Sequence, residues 1–294
     1  MRAEIEKAVQ LLRRGDGNSV EQALASLQST VFSFSMRVCG HREDAEDTMQ
    51  EVLLKSVPYL PRFNSPKALV VWLYKVAKNR CLMNRRKSKF APARELSLDE
   101  LMPDRNELEQ LAGDGRINPE SFAIRSEQAA RLREAVHRLP PQYRIVLVLR
   151  DMEGLTDDEV AEITGVREGT VRVRLHRARL FVRKELMRTL IAGSNKKVRT
   201  QKRPSDGGRP ARCKAMFAEL SDYLDEQLDD SLCEELERHM NGCGPCQVFV
   251  ASLEAIIEHC RNTAEDCSPP KAARLRQELM QKYQQVKALL RQNS

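Results

Sequence analysis

His239, Cys243 and Cys246 stand in the stretch HMNGCGPC with His-x3-Cys-x2-Cys spacing. Two thiolates three residues apart can face one ion across a tight turn, and an imidazole beside them adds a third donor. The chemistry on offer is metal binding. Upstream, Cys213 opens an amphipathic segment with Phe217, Leu220, Leu224 and Leu228 on one side. A helix starting at Ser231, with Glu234 completing a capping box, and ending at Gly242 carries His239 back toward Cys213 when the two helices run antiparallel through DDS. Cys213, His239, Cys243 and Cys246 then make a closed Cys3His set suited to structural Zn2+. Cys233 falls mid-helix and reads as a small core residue, while His259, Cys260 and Cys267 are substitute ligands. A metal-free helical hairpin with incidental thiols is the competing reading.

A second set of residues suits polyanions. In LTDDEVAEITGVREGTVRVRLHRARLFVRKEL, Thr156 and Glu159 form a capping box that opens a short helix, Gly165 ends it, and a longer helix begins near Arg167. Val171, Leu175, Ala178 and Val182 recur at i, i+4, i+7 and i+11 as one core stripe, leaving Arg172, Arg174, His176, Arg177 and Arg179 for the remaining surface. A short helix, a Gly turn and an Arg-studded helix are the layout of a helix-turn-helix, in which Arg can bind guanine edges or phosphate bidentately.

A third set lies further upstream. In HREDAEDTMQEVLLKSV, Ala45, Met49, Val52 and Leu53 line one helix face, and Asp44, Asp47, Gln50 and Glu51 lie off it. After the loop YLPRFNSPK, the helix ALVVWLYKVAKNRCLMNRRKSK sets Leu69, Trp72, Leu73 and Val76 inward and Tyr74, Lys75, Lys78 and Asn79 outward, running into Arg80, Arg85, Arg86 and Lys87. An amide and an aromatic among cations can hydrogen-bond and stack on unpaired bases, whereas cations alone only neutralise phosphate.

These groups need helices to hold them, and no strand-period segment or internal repeat occurs in the pattern, so the fold class is all-α. The segments are helices over 1–90, a polar linker over 91–125, a helical domain with the helix-turn-helix over 126–193, a basic linker over 194–212, an acidic cysteine module over 213–267 and a basic helical tail over 268–294. The net charge of +7 hides an asymmetry, because residues 213–267 hold thirteen acidic against three basic side chains, about −10, leaving about +17 on the remainder. A basic body favours nucleic acid. No apolar run approaches the roughly 20 residues that span a bilayer, and the N-terminus lacks a signal-peptide pattern, so the expected location is the cytoplasm, without membrane contact. Eight cysteines spread over such a chain are expected as reduced thiols or metal ligands rather than disulfides. No Gly-rich phosphate loop, nucleophile–base pair or open metal site is visible, and no enzymatic role is expected.

EDAEDTMQEVLLK, WLYKVAKNRCLMNRRK and LTDDEVAEITGVREGTVRVRLHRAR, in that order, resemble the extracytoplasmic-function class of bacterial RNA polymerase sigma factors over about residues 15–190. The resemblance implies that Asp44, Asp47, Gln50 and Glu51 dock on the RNA polymerase core. It implies that the loop at Arg62, Phe63 and Asn64, with Trp72, Lys75, Asn79 and Arg80, captures the −10 element of promoter DNA as a single strand. It further implies that Thr170, Arg172, Val173, Arg174, His176, Arg177 and Arg179 meet the −35 duplex. Asn84 stands where such proteins often have Asp, and Pro58 and Pro61 shorten the helix before the −10 loop. The run from Cys213 to Cys246 resembles the zinc-binding anti-sigma domain, which implies intramolecular contact between this module and the sigma domains. The alternative is a helix-turn-helix regulator with a metal- or redox-responsive module, which leaves the two upstream motifs without a role.

Overall fold

The computed structural model describes residues 2–14, 16–60, 63, 65–87, 95–102, 126–192, 219–263 and 273–292. In chain order the helices are α1 (Arg2–Arg14), α2 (Gly17–Cys39), α3 (Arg42–Ser56), α4 (Pro66–Lys87), α5 (Leu98–Leu101), α6 (Ser126–Arg138), α7 (Pro141–Leu147), a π-helical turn (Val148–Met152), α8 (Asp157–Thr164), α9 (Glu168–Ala192), α10 (Asp230–Asn241), α11 (Gly244–Asn262) and α12 (Ala273–Gln292). No strand occurs among the described residues, in keeping with the all-α expectation. None of the described helices is long and apolar enough to cross a membrane.

The chain divides into two compact units, and the helix-turn-helix is shared between them, with α8 in the first and nearly all of α9 in the second. The first unit comprises Met1–Pro92, Val148–Glu168 and Ala264–Ser294. Its core is built on α2, where Val20, Leu24, Leu27, Val31 and Phe34 are buried, against Ile5 and Val9 of α1, Met49, Val52 and Leu53 of α3 and Leu69 and Leu73 of α4. Asp16 caps α2 by accepting from the Ser19 amide at 2.8 Å, and Gly40 ends it in the left-handed region at φ 85°, where a side chain would be strained. α12 contributes Leu279 and Tyr283 to this core.

The spacing places Tyr74 and Lys78 outward on α4, but both are buried. The π turn and α8 cover that face. Tyr74 Oη donates to Glu153 Oε2 at 2.6 Å, Arg37 Nη1 donates to Glu153 Oε1 at 2.9 Å, and Lys78 Nζ donates to the Ile163 carbonyl at 2.6 Å. The Glu153 side chain has no exposed surface. Burial raises its pKa, and Arg37 and the Tyr74 hydroxyl oppose that rise. Burial also holds the Tyr74 phenol well above its usual range, so it stays a donor. At the rim, Lys67 Nζ meets Asp158 Oδ2 at 2.7 Å and draws the Asp158 pKa down to about 2.

A disulfide joins Cys39 at the end of α2 to Cys81 in α4. This corrects the expectation of reduced thiols for these two. The helices that flank α3 converge there, bringing the two Cα atoms to 5.3 Å, a separation a disulfide can span.

The second unit comprises Ala93–Leu147 and Gly169–Thr263. Val171, Leu175, Ala178 and Val182 are buried as the stripe requires. Arg144 donates to the Val136, His137 and Leu139 carbonyls, which satisfies the end of α6. Leu220, Leu236, Phe249, Leu253 and Ile256 form the inner side of the C-terminal helices. Here α10 begins one residue earlier than the expected start at Ser231. Its cap is Asp229, whose carboxylate accepts from the Ser231 and Leu232 amides, two donors where a Ser cap takes one.

Replacing Arg37 by Met strands the Glu153 carboxylate in the core, a loss of roughly 3–5 kcal/mol at neutral pH. Because protonated Glu153 needs no counter-charge, and burial raises its pKa, the loss should shrink as pH falls from neutral toward the ordinary carboxylate range. Urea unfolding followed by the single tryptophan, Trp72 of α4, at pH 7.5 and pH 5 measures both values.

Candidate nucleic-acid interface and metal centre

One residue along from the core stripe of α9, Arg172, His176, Arg179 and Arg183 repeat the same i, i+4, i+7, i+11 spacing. This second stripe is also covered. Arg179 has no exposed surface. Its Nη1 donates to Ser221 Oγ at 2.9 Å and Asp225 Oδ2 at 2.8 Å, while Nη2 donates to Asp225 Oδ1 at 2.9 Å. This bidentate pair matches the planar fork of a guanidinium to a carboxylate. Arg183 Nε donates to Ser252 Oγ at 2.7 Å, and its guanidinium lies 3.9 Å from the centre of the Phe249 ring. Arg172 Nη1 reaches Gln227 Oε1 at 3.4 Å.

Surface positions were expected for Arg179 and His176, and the structure buries both. For Arg179 the cause is the acidic module, which supplies Ser221 and Asp225. Residues 219–224 are helical, and the chain turns at Glu226, which takes a positive φ of 56°. That turn sets Asp225 and Gln227 on the side of α9. Val173 is exposed, and Thr170, Arg174 and Arg177 are partly so. Arg183, Ser221, Asp225 and Glu153 were missed by sequence reasoning. The signal for Arg183 was present in the repeat of cationic positions at core spacing.

α8 opens with the expected capping box, the Thr156 amide donating to Glu159 Oε2 at 3.0 Å, and ends at Gly165 with φ 76°. On α3, Asp47 and Gln50 are exposed and Asp44 and Glu51 partly so. Glu51 accepts from Lys55 at 2.6 Å and pairs with Arg80 of α4 at 2.7 Å, and the Lys55 contact chiefly lowers its pKa. Asp47, Gln50, Glu51, Leu54, Lys55 and Arg80 line a surface depression together with Lys282 of α12. On α4, Lys75 and Asn79 are exposed. Trp72 is half-buried, its ring centre 6.1 Å from that of Phe63 and 5.9 Å from that of Tyr59. Arg62 and Asn64 lie outside the described residues.

His239, Cys243 and Cys246 come together as their spacing requires. The sulfurs of Cys243 and Cys246 are 3.3 Å apart, and Cys246 Sγ is 3.4 Å from His239 Nε2. His239 stands in the last turn of α10, Cys243 caps α11 and Cys246 sits in its first turn, so two helix ends fix three donors within 4.8 Å of one another. Tetrahedral zinc, with Zn–S near about 2.3 Å, spaces two thiolates at roughly 3.8 Å. These donors fit such an ion with a small outward movement. Cys213, the expected fourth donor, lies outside the described residues, as does Cys267. Cys233 is only partly buried, with its sulfur toward the Leu228 carbonyl, and His259 and Cys260 are buried in α11.

Residues 24–90 match the sigma-70 region 2 family and residues 129–182 the sigma-70 region 4 family. The chain carries sigma-70 regions 2 and 4. Residues 213–247 match a zinc-finger family, behind both sigma regions. The chain is 27% identical over 189 residues to the extracytoplasmic-function RNA polymerase sigma factor SigW of Bacillus subtilis, covering 63% of this chain and 98% of that one. It is 26% identical over 189 residues to the RNA polymerase sigma-H factor of Pseudomonas aeruginosa, covering 62% and 93%. It is 32% identical over 154 residues to the extracytoplasmic-function sigma factor SigE of Mycolicibacterium smegmatis, covering 52% and 56%. The first two matches span nearly the whole of those proteins, and the zinc-finger match of this chain lies C-terminal to both of its sigma-70 regions.

Removing one member of the buried pair should cost more than removing both. Asp225→Ala strands the Arg179 guanidinium, and we expect a loss of about 3–5 kcal/mol in the packing of the module on α9, with most of it recovered in Arg179→Met with Asp225→Leu. Hydrogen exchange of residues 172–183 in the full chain reads this out as lost and regained protection.

Proposed function

We propose that this chain is a sigma factor that brings the RNA polymerase core to its promoters through α3, α4 and α9, and that its own C-terminal module holds it silent. The observation that carries the proposal is the burial of Arg179 against Asp225. A guanidinium of the recognition helix is fully paired with a carboxylate of the acidic module. Phosphate and guanine edges compete for the same fork of donors. While the module is in place, Arg172, His176, Arg179 and Arg183 are withdrawn from DNA, and Val173, Arg174 and Arg177 remain within reach of it.

Two contacts in the first unit support a silent state. The π turn and α8, which belong to region 4, cover Tyr74 and Lys78 on the α4 helix of region 2. A promoter holds its −10 and −35 elements well apart along the duplex, so the regions that read them must separate in use. Lys282 of the basic tail lies beside Asp47, Gln50 and Glu51, the residues assigned to polymerase docking. The −10 contacts we assign are Phe63, Lys75 and Asn79 with Arg62, Asn64, Trp72 and Arg80, and the −35 contacts are Thr170, Arg172, Val173, Arg174, His176, Arg177 and Arg179.

Zinc is the metal we assign to His239, Cys243 and Cys246, with Cys213 as the fourth ligand. Bound there, zinc supplies structure, joining α10 to α11 and keeping the acidic segment before α10 in place. A tether places the module at an effective concentration on the order of millimolar near α9, so even a weak contact holds. The region 2 match argues against a simple helix-turn-helix regulator, because it gives α3 and α4 a role that such a regulator lacks.

Run-off transcription with bacterial core polymerase tests the proposal, on promoters selected from genomic DNA by the chain ending at residue 193. The shortened chain should exceed the full-length one by on the order of tenfold or more. Full-length protein carrying Cys243→Ser and Cys246→Ser should lose one zinc per chain and rise to the same level. Equal transcription by full-length and shortened chains would show that the module does not restrain. Zinc lost with no gain in activity would leave the metal site structural only.

A further inference from the structure

The Cys39–Cys81 disulfide has two unlike sulfurs. Cys39 ends α2, half-buried, beside the exposed His41 and Arg42. Cys81 is buried within α4 at 4% exposure. Between them, from α3, the fully buried Thr48 places its hydroxyl 3.8 Å from the Cys39 sulfur and 3.9 Å from that of Cys81. Thiol–disulfide exchange depends on which sulfur an incoming group can reach and on how well the departing thiolate is received. Here the two residues differ in burial, while the Thr48 hydroxyl stands equally near both sulfurs and can receive whichever one leaves.

We propose that Cys39 and Cys81 form a reversible dithiol–disulfide site that exchanges with low-molecular-weight disulfides and is entered through Cys39. In the oxidising direction, the Cys39 thiolate attacks a small disulfide, forming a mixed disulfide and releasing one small thiolate. The Cys81 thiolate then attacks the Cys39 sulfur, closing the protein bond and expelling the second small thiolate. Both cysteine thiols are oxidised, the small disulfide is reduced to two thiols, and the two cysteine protons pass to those products. In the reducing direction, a small thiolate attacks Cys39, and Cys81 leaves as a thiolate beside the Thr48 hydroxyl, which can donate to it. A second small thiolate then attacks the small-molecule sulfur of the mixed disulfide, releasing the Cys39 thiolate and one small disulfide, and the two protons of the small thiols pass to the cysteines.

The site belongs to the working face of region 2. Cys81 follows Asn79 and Arg80 on α4, and Arg80 pairs with Glu51 on α3. Closure therefore ties the segment of α4 that carries these groups to the end of α2, across a chain separation of 42 residues. Opening leaves that segment held by packing and by the Arg80–Glu51 pair, without the covalent tie to α2. This inference does not depend on the restraint by the C-terminal module, and its test uses no transcription.

The experiment uses the full chain, with glutathione disulfide as the probe and mass spectrometry of the peptides that contain residues 39 and 81. In Cys81→Ser the remaining Cys39 should acquire glutathione about tenfold faster than the remaining Cys81 does in Cys39→Ser, because only the former is reachable. The reduced native chain should regain the 39–81 crosslink and release two glutathione thiols per bond formed. Equal or reversed rates in the two variants would overturn the entry through Cys39. A native chain that keeps both thiols in the same buffer would overturn the site as a whole, whatever the variants do.

Discussion

A guanidinium with no exposed surface cannot stand alone, and Arg179 sets the terms for everything packed around it. An uncompensated buried charge costs several kcal/mol, so the Asp225 carboxylate and the Ser221 hydroxyl must be held where they are. That requirement explains the turn at Glu226, left-handed in a residue that does not favour it, and the Asp229 cap that restarts the chain into α10. The acidity of residues 213–267 is thus more than solubility. Part of it is aimed at one helix face.

The first unit contains a parallel case. Glu153 is enclosed by Arg37 and Tyr74, and Lys78 is buried on the Ile163 carbonyl at the end of α8. Region 2 alone would leave Arg37, Tyr74 and Lys78 facing water, where each could be solvated without cost. Covering them is stable only because the π turn and α8 bring one carboxylate and one helix-terminal carbonyl to meet them. Polar closure of this kind can be undone: water, DNA or polymerase can supply equivalent partners, which an apolar seam would not permit.

Much of this was legible in the residues. Val171, Leu175, Ala178 and Val182, the Thr156–Glu159 box, Gly165 and the convergence of His239, Cys243 and Cys246 all follow from local periodicity and turn chemistry, and the structure has them. Exposure was not legible. Tyr74, Lys78, His176 and Arg179 were assigned to the surface because they are polar, and all four are buried, Tyr74, Lys78 and Arg179 against partners distant in sequence. Polarity predicts solvent only when no complementary group arrives, and the arriving groups sit in segments whose tertiary placement no local pattern encodes. The second stripe on α9 did carry a hint, since cations at core spacing need either solvent or counter-charges. The Cys39–Cys81 pair failed for a different reason: composition argues about compartments, whereas pairing depends on two helices meeting.

The central claim is that the module withholds arginines of α9 from DNA, and the salt dependence of binding to a fixed duplex measures this without knowledge of the promoter. Each phosphate neutralised adds about −0.9 to the slope of log affinity against log salt concentration. With the native full-length chain and one carrying Asp225→Ala on the same duplex, the account predicts a steeper slope and tighter binding for the variant, by roughly one to three phosphate contacts. Identical slopes and affinities would mean that Arg179 and its neighbours were never the groups that DNA competes for.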